Sequence, residues 1–158
     1  MSLDNFEICS KIEPKLKKIV KIFDVFDDEK GLNVLFITSD DKVYGFGQNR
    51  FGCCGLGHNS VVNEPQVIPE LCHKYIKQFF IGWSFVLALK SDGQVYAWGR
   101  NNWGQLATGS LGDDNEYFKP KLISYSTDKT VIELCMQKAS LGIFPNTALP
   151  FRNKNTTE

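Results

Sequence analysis

The sequence is poor in the residues and patterns that usually carry chemistry. Of its 158 residues only two, His58 and His73, are histidines. Neither lies in a nucleophile setting such as Gly-x-Ser-x-Gly. No Cys-x-x-Cys pair exists, so the zinc spacings that use one are absent. Lysine plus arginine equals aspartate plus glutamate at 18 each, so the chain as a whole has no electrostatic footprint for nucleic acid or an anionic membrane. No apolar run approaches the ~18 residues of a membrane span. The opening stretch MSLDNFEICSKIEPKLKK has no apolar core of the kind a secretory signal needs, so a cytoplasmic or nuclear location is expected. The five cysteines, Cys9, Cys53, Cys54, Cys72 and Cys135, are odd in number and without a leader, which reads as free thiols rather than a disulfide framework.

What the chain has is a hydrophobic content of 42% and an aromatic content of 13%. That is enough for a core and suits packed sheets. It also has a phrase spelled twice. SDDKVYGFGQNRFGCCGLG runs from Ser39 to Gly57, and SDGQVYAWGRNNWGQLATG from Ser91 to Gly109. Val95-Tyr96 lies 52 residues after Val43-Tyr44. The same offset carries Gly47 to Gly99, Asn49 to Asn101, Gly52 to Gly104 and Gly57 to Gly109. Aromatic falls on aromatic at Phe46/Trp98 and Phe51/Trp103. Upstream, Leu35-x-Ile37 falls on Leu87-x-Leu89. A period near 50 belongs to propellers and solenoids.

Each copy reads as a hairpin. The run from Phe85 to Leu89 is a buried strand, and Asp92-Gly93 is a type I′ turn signal. Asp40-Asp41 holds that place in the first copy, where aspartate still tolerates the turn. In the returning strand Tyr96 and Trp98 share one face, Val95 and Ala97 the other. Small residues such as Gly45 and Ala97 let a neighbouring sheet approach, and large ones on the opposite face fill the gap. The Gly-x-Asn-x-aromatic-Gly ending is turn chemistry. A further pair of strands is expected per unit, Gln66-Val67-Ile68 with 75–81, then Lys121-Leu122-Ile123 with 130–134. Pro65, Pro69 and Pro120 stand at strand ends, where proline is tolerated. Four short strands per unit is the content of a propeller blade.

Taken in order, Leu-Ala-Leu-x-x-Asp-Gly followed by Val-Tyr-Ala-Trp-Gly-x-Asn-x-x-Gly-Gln-Leu resembles the repeat of the regulator of chromosome condensation family. The resemblance covers about residues 19 to 136. It is nearest to the N-terminal part of family members that also carry a BTB domain. It implies an all-β, partial β-propeller with two four-stranded blades and the start of a third. Seven such units would need about 350 residues, so the resemblance also implies a truncated chain. A third unit begins at Val131–Cys135 and stops near Met136. Departures from the family are Cys53-Cys54 in place of Gln-Leu, Ala107 in place of glycine and Ser84 in place of histidine. The expected divisions are an N-terminal helix and acidic linker (1–30), repeats at 31–82 and 83–136, and a disordered tail (137–158).

Residues 11 to 23, KIEPKLKKIVKIF, place Ile12, Leu16, Ile19, Val20 and Phe23 at helical spacing, with Pro14 suited to a first turn. Five lysines and one glutamate lie between Lys11 and Lys21, and Asp24, Asp27, Asp28 and Glu29 follow. The favoured reading is a helix that caps an exposed sheet edge; a basic membrane- or partner-binding helix is the other.

Sites of chemistry are mostly read away. Gly45-Phe46-Gly47 with Gly52 lacks the Gly-Lys-Ser/Thr of a phosphate loop. Cys53, Cys54, His58, Cys72 and His73 could be imagined around zinc, but Cys54 falls where the second copy has Leu106, a core-type residue. Asp113-Asp114 reads as a solvated loop. Trp83, Trp98 and Trp103 lack a basic groove for base stacking and read as core. No catalytic, cofactor-binding or metal-binding residue is therefore expected, and no cofactor. The expected function is non-enzymatic protein interaction through loops 57–65 and 108–119, as a fragment of an adaptor. By resemblance two other roles arise. One is part of a guanine-nucleotide exchange factor for a Ran-type small GTPase. The other is the N-terminal piece of a BTB-containing ubiquitin-ligase adaptor.

Overall fold

Alternation of small and large apolar residues, with turn residues at fixed intervals, makes eight antiparallel strands among the described residues. The computed structural model describes residues 2–28, 30–102, 106 and 116–123. Strands β1 (Val20–Asp27), β2 (Leu32–Thr38), β3 (Val43–Gly47) and β4 (Val62–Val67) form one sheet in sequential order. Strands β5 (Ile76–Ile81), β6 (Phe85–Lys90), β7 (Val95–Arg100) and β8 (Glu116–Ile123) form the second. These are two four-stranded blades of a partial β-propeller. The matched phrases occupy matched places: Val34 opposes Phe46 in the first blade, and Val86 opposes Trp98 in the second.

The two sheets stack through a shared core of Leu35, Ile37, Val43, Phe51, Cys53, Ile68, Leu71, Ile76, Phe79, Val86, Ala88 and Trp98. The faces follow the pleat. Leu35, Ile37 and Val43 of the first blade face forward onto its neighbour. Val86, Ala88 and Trp98 of that neighbour face back onto them. The alternate residues of the second blade, Phe85, Leu87, Val95 and Ala97, form a separate buried cluster with Leu106 and Ile123. The small residue at Gly45 is needed for close approach, since a Cβ there would stand 2.5 Å from the Cys54 carbonyl oxygen.

Three expectations change. The helix expected over 11–23 is a single α-turn, α1 (Pro14–Lys17), preceded by two 3₁₀ turns at Leu3–Asn5 and Glu7–Lys11. Val20 and Phe23 belong to β1, and so do Asp24 and Asp27 of the expected linker. Val20, Ile22 and Val25 are β-branched, and β1 pairs with β2 from Val20↔Thr38 to Asp27↔Leu32. Second, the segments around 66–68 and 75–81 are not partners. β4 pairs with β3 and β5 with β6, because the 68–75 linker carries the chain from one blade to the next. The sequence unit 31–82 thus holds three strands of one sheet and the first of the next. Third, the hairpin turns are not type I′. Only Gly93 and its counterpart Asp41 have positive φ, at 90° and 57°. Gly93 N–H donates to the Lys90 carbonyl at 3.1 Å, and Lys90 N–H to that of Gln94 at 2.8 Å. A type I turn followed by a left-handed residue accounts for both bonds. The third unit and the 137–158 tail lie outside the described residues.

Candidate interaction surface

The strand order puts the β1–β2 turn (28–31), the β3–β4 loop (48–61), the β5–β6 turn (82–84) and the start of the β7–β8 connection at one end of the sheets. The β2–β3 and β6–β7 turns and the 68–75 linker form the opposite end. The first end carries the longer loops and is built around one buried residue per blade.

Asn49 is fully buried and has φ 55°, a left-handed conformation that asparagine tolerates better than most residues. Its backbone N–H donates to Asn33 Oδ1 at 2.7 Å. Its side-chain Oδ1 accepts from Cys54 N–H at 2.9 Å, and its Nδ2 donates to the carbonyls of His58 and Ser60 at 2.8 and 3.0 Å. One side chain thus holds the loop from 49 to 60 at three points. In the second blade Asn101 Oδ1 accepts from Leu106 N–H at 3.0 Å, the counterpart of the Asn49–Cys54 bond. The repeated asparagine is therefore the peg of each rim loop. Asp28, also fully buried, accepts from the backbone N–H groups of Lys30 at 3.3 Å and Arg50 at 2.9 Å, tying the first turn to the same loop.

The rim of the first blade is locked to the second. Trp98 Nε1–H donates to the Cys53 carbonyl at 2.8 Å, and Gly57 N–H to the Phe118 carbonyl at 2.8 Å. The guanidinium groups of Arg50 and Arg100, one from each blade, lie 4.8 and 5.3 Å from the Phe51 ring centroid, within the range of cation–π attraction. On this surface Trp83 is 62% exposed and Val61 53%. Trp83 is a correction to the reading of all three tryptophans as core. Trp98 is completely buried, but Trp83 stands at the apex of the tight β5–β6 turn closed by Gly82 N–H to the Phe85 carbonyl. Trp103 lies outside the described residues.

The imagined metal set does not converge. Cys53, Cys54 and His58 lie in the rim loop, while Cys72 and His73 lie in the linker at the opposite end. No three of the described His, Cys, Asp and Glu residues are grouped as metal ligands. Burial pushes the thiols of Cys53 and Cys54 far up, so both are packed as inert thiols. Cys54 is as buried as its counterpart Leu106, and the core reading holds. Gly45-Phe46-Gly47 is strand β3, not a phosphate loop. Of the expected loops, 57–61 is on the rim, and 62–65 belongs to β4. Residues 116–119 belong to β8, while 108–115, including Asp113-Asp114, lie outside the described residues. No described helix is long and apolar enough to cross a membrane.

Two stacked four-stranded antiparallel blades with a repeated rim loop define a β-propeller repeat protein. The chain belongs to the family described as "Regulator of chromosome condensation (RCC1) repeat", which matches residues 40–89 and 92–142. Among curated proteins it is similar to Protein RCC1 of Candida albicans, 44% identical over 43% of this chain and 18% of that protein. It is also similar to Probable E3 ubiquitin-protein ligase HERC4 of Mus musculus, 27% identical over 84% of this chain and 12% of that protein. The chain thus spans less than a fifth of the length of either relative. The solved structure of human WBSCR16 superposes with a TM-score of 0.58 at 25% identity, over 68% of this chain and 26% of that one.

Proposed function

We propose that this chain supplies a non-enzymatic protein-interaction surface and is a fragment of an adaptor. The observation that carries the reading is the rim. Its loops are held by buried Asn49 and Asn101, and it displays Trp83, Val61 and Arg50. Exposed tryptophan and arginine on a rigid frame are the residue types that dominate binding energy at protein interfaces. The opposite end offers an exposed Tyr75 held in a tight linker, by its own N–H to Asp41 Oδ2 at 3.1 Å, and serves as the control surface.

The test is capture of proteins from a cell extract on immobilised chain, read by quantitative mass spectrometry. Trp83→Ser should abolish capture of a discrete set of proteins that Tyr75→Ser retains. Equal loss with both variants, or none with either, would contradict the rim as the binding surface.

Two finer readings follow from the relatives. Similarity to Protein RCC1 supports a part in nucleotide exchange on a Ran-type GTPase. Similarity to Probable E3 ubiquitin-protein ligase HERC4 supports a part in ubiquitin ligation, and the BTB-containing adaptor rests on the resemblance of the repeats to BTB-carrying family members. Release of a fluorescent nucleotide from the GTPase separates them. The adaptor reading expects the same release rate with and without the chain, and acceleration would favour the exchange factor.

A further inference from the structure

We propose that the end of the sheets opposite the rim is a second binding surface, one that takes an acidic protein segment carrying an apolar side chain. The argument starts from a second phrase that recurs. Lys18-Ile19-Val20-Lys21 leads into β1, and Lys74-Tyr75-Ile76-Lys77 leads into β5, 56 residues later. The two occupy equivalent places. The Ile19 carbonyl accepts from Ser39 N–H at 2.7 Å, and the Tyr75 carbonyl from Ser91 N–H at 3.0 Å. Ser39 and Ser91 open the β2–β3 and β6–β7 turns. In each copy both lysines are exposed, and so is the apolar residue beside the first, Ile19 at 38% and Tyr75 at 70%.

Folding does not call for a tyrosine at 75. Its N–H donates to Asp41 Oδ2 at 3.1 Å, so its backbone clasps a turn of the first blade to a turn of the second. The clasp holds it at φ 55°, a left-handed conformation that is an outlier for a bulky side chain. Glycine or asparagine would make the same bonds with less strain, and a ring left mostly in water returns little through burial. Strain of this kind gathers where a side chain works outside the fold.

The charge around the two phrases is one-sided. Asp40 is paired with Lys42 at 2.9 Å, Asp92 with Lys90 at 2.7 Å and Glu70 with Lys119 at 3.1 Å, and Asp41 accepts from Tyr75. Lys18, Lys21, Lys74 and Lys77 form no ion pair among the described residues. Ammonium groups flanking an apolar side chain, twice over, complement carboxylates flanking another. A chain of net charge zero lacks the extended basic face of a nucleic-acid or anionic-membrane binder, which favours the acidic protein segment.

The probe is a fluorescein-labelled oligoglutamate peptide with a central leucine, titrated with the intact chain and read by fluorescence anisotropy. The parent should bind it, less tightly as salt rises. Lys18→Glu and Lys74→Glu should each weaken binding roughly fivefold or more. Lys30→Glu, the same charge change on an exposed lysine at the rim end, should alter it less than about twofold. Tyr75→Asn suits the left-handed backbone, so it should keep the parent's circular dichroism and weaken binding roughly threefold or more. No binding by the parent, equal weakening by Lys30→Glu and Lys74→Glu, or full binding by Tyr75→Asn would each overturn the proposal. Tighter binding of oligothymidylate or of phosphatidylserine vesicles than of the peptide would overturn it too.

Discussion

The indole N–H of Trp98 in the second blade donates to the main-chain carbonyl of Cys53 in the first, at 2.8 Å and out of contact with water. This bond joins two units that the sequence writes as copies. It uses a position where the copies differ, since Trp98 corresponds to Phe46, which has no donor. Phe46 packs instead in the cluster that holds Cys9 and Ile12 of the N-terminal segment.

Trp98→Phe should therefore cost about 1–3 kcal/mol, from the Cys53 carbonyl left buried without its donor. Trp98→Ala should cost more, roughly 3–5 kcal/mol, because a cavity opens between the blades. Urea denaturation followed by circular dichroism measures both. A Trp98→Phe variant as stable as the parent would contradict the hydrogen bond.

Two glycines of the repeated phrase should respond differently to alanine. At Gly99 a Cβ would stand 2.5 Å from the Ser84 carbonyl oxygen and 2.6 Å from Phe85 Cα, with φ at 101°. At Gly93 φ is 90° but no atom lies within 4 Å. Gly99→Ala should prevent folding of the second blade. Gly93→Ala should fold with a loss of about 1–2 kcal/mol, the conformational cost alone. Thermal unfolding of the two variants checks the order.

The turn of the first hairpin titrates in acid. The Thr38 hydroxyl, donating to Asp40 Oδ1 at 2.6 Å, and the Lys42 ammonium at 2.9 Å hold the Asp40 carboxyl down at about 2, against an ordinary 3.8. A lowered folded-state value means that the contribution is complete above the unfolded value and is lost as pH falls from about 4 toward 2. Carboxyl chemical shifts across that range should show Asp40 titrating last among the exposed acids. Thr38→Val should return its midpoint toward the ordinary value. An unchanged midpoint would assign the shift to Lys42.

The hairpins and the rim turns were legible because their residues recur at one offset. Gly47 and Gly99, Asn49 and Asn101, and Cys54 and Leu106 each do the same physical work in both blades. Strand β1 was not legible, for two reasons. Ile12, Leu16, Ile19, Val20 and Phe23 happen to fall at helical spacing. The offset also breaks within the turns that follow β1 and β5. Phe23 pairs with Phe36, and Phe79 with Ala88, so β1 precedes β5 by 56 residues rather than 52 and escapes a comparison made in register. Trp83 was misread because its apolar bulk is a signal of burial only where the backbone does not turn. The tight Gly82–Phe85 closure decides its exposure, and that turn carries no proline or Asn-Gly pair to announce it.

The most direct test of the central claim, that the phrase recurs because each copy builds its own rim loop on its own asparagine, is amide hydrogen exchange at Cys54 and Leu106. Each N–H donates to the side-chain oxygen of its own asparagine, Asn49 or Asn101. In the parent both amides should be protected. Asn101→Ala should release the Leu106 amide and leave that of Cys54 slow, and Asn49→Ala should do the reverse. Release of both amides by either variant, or of neither, would contradict the account.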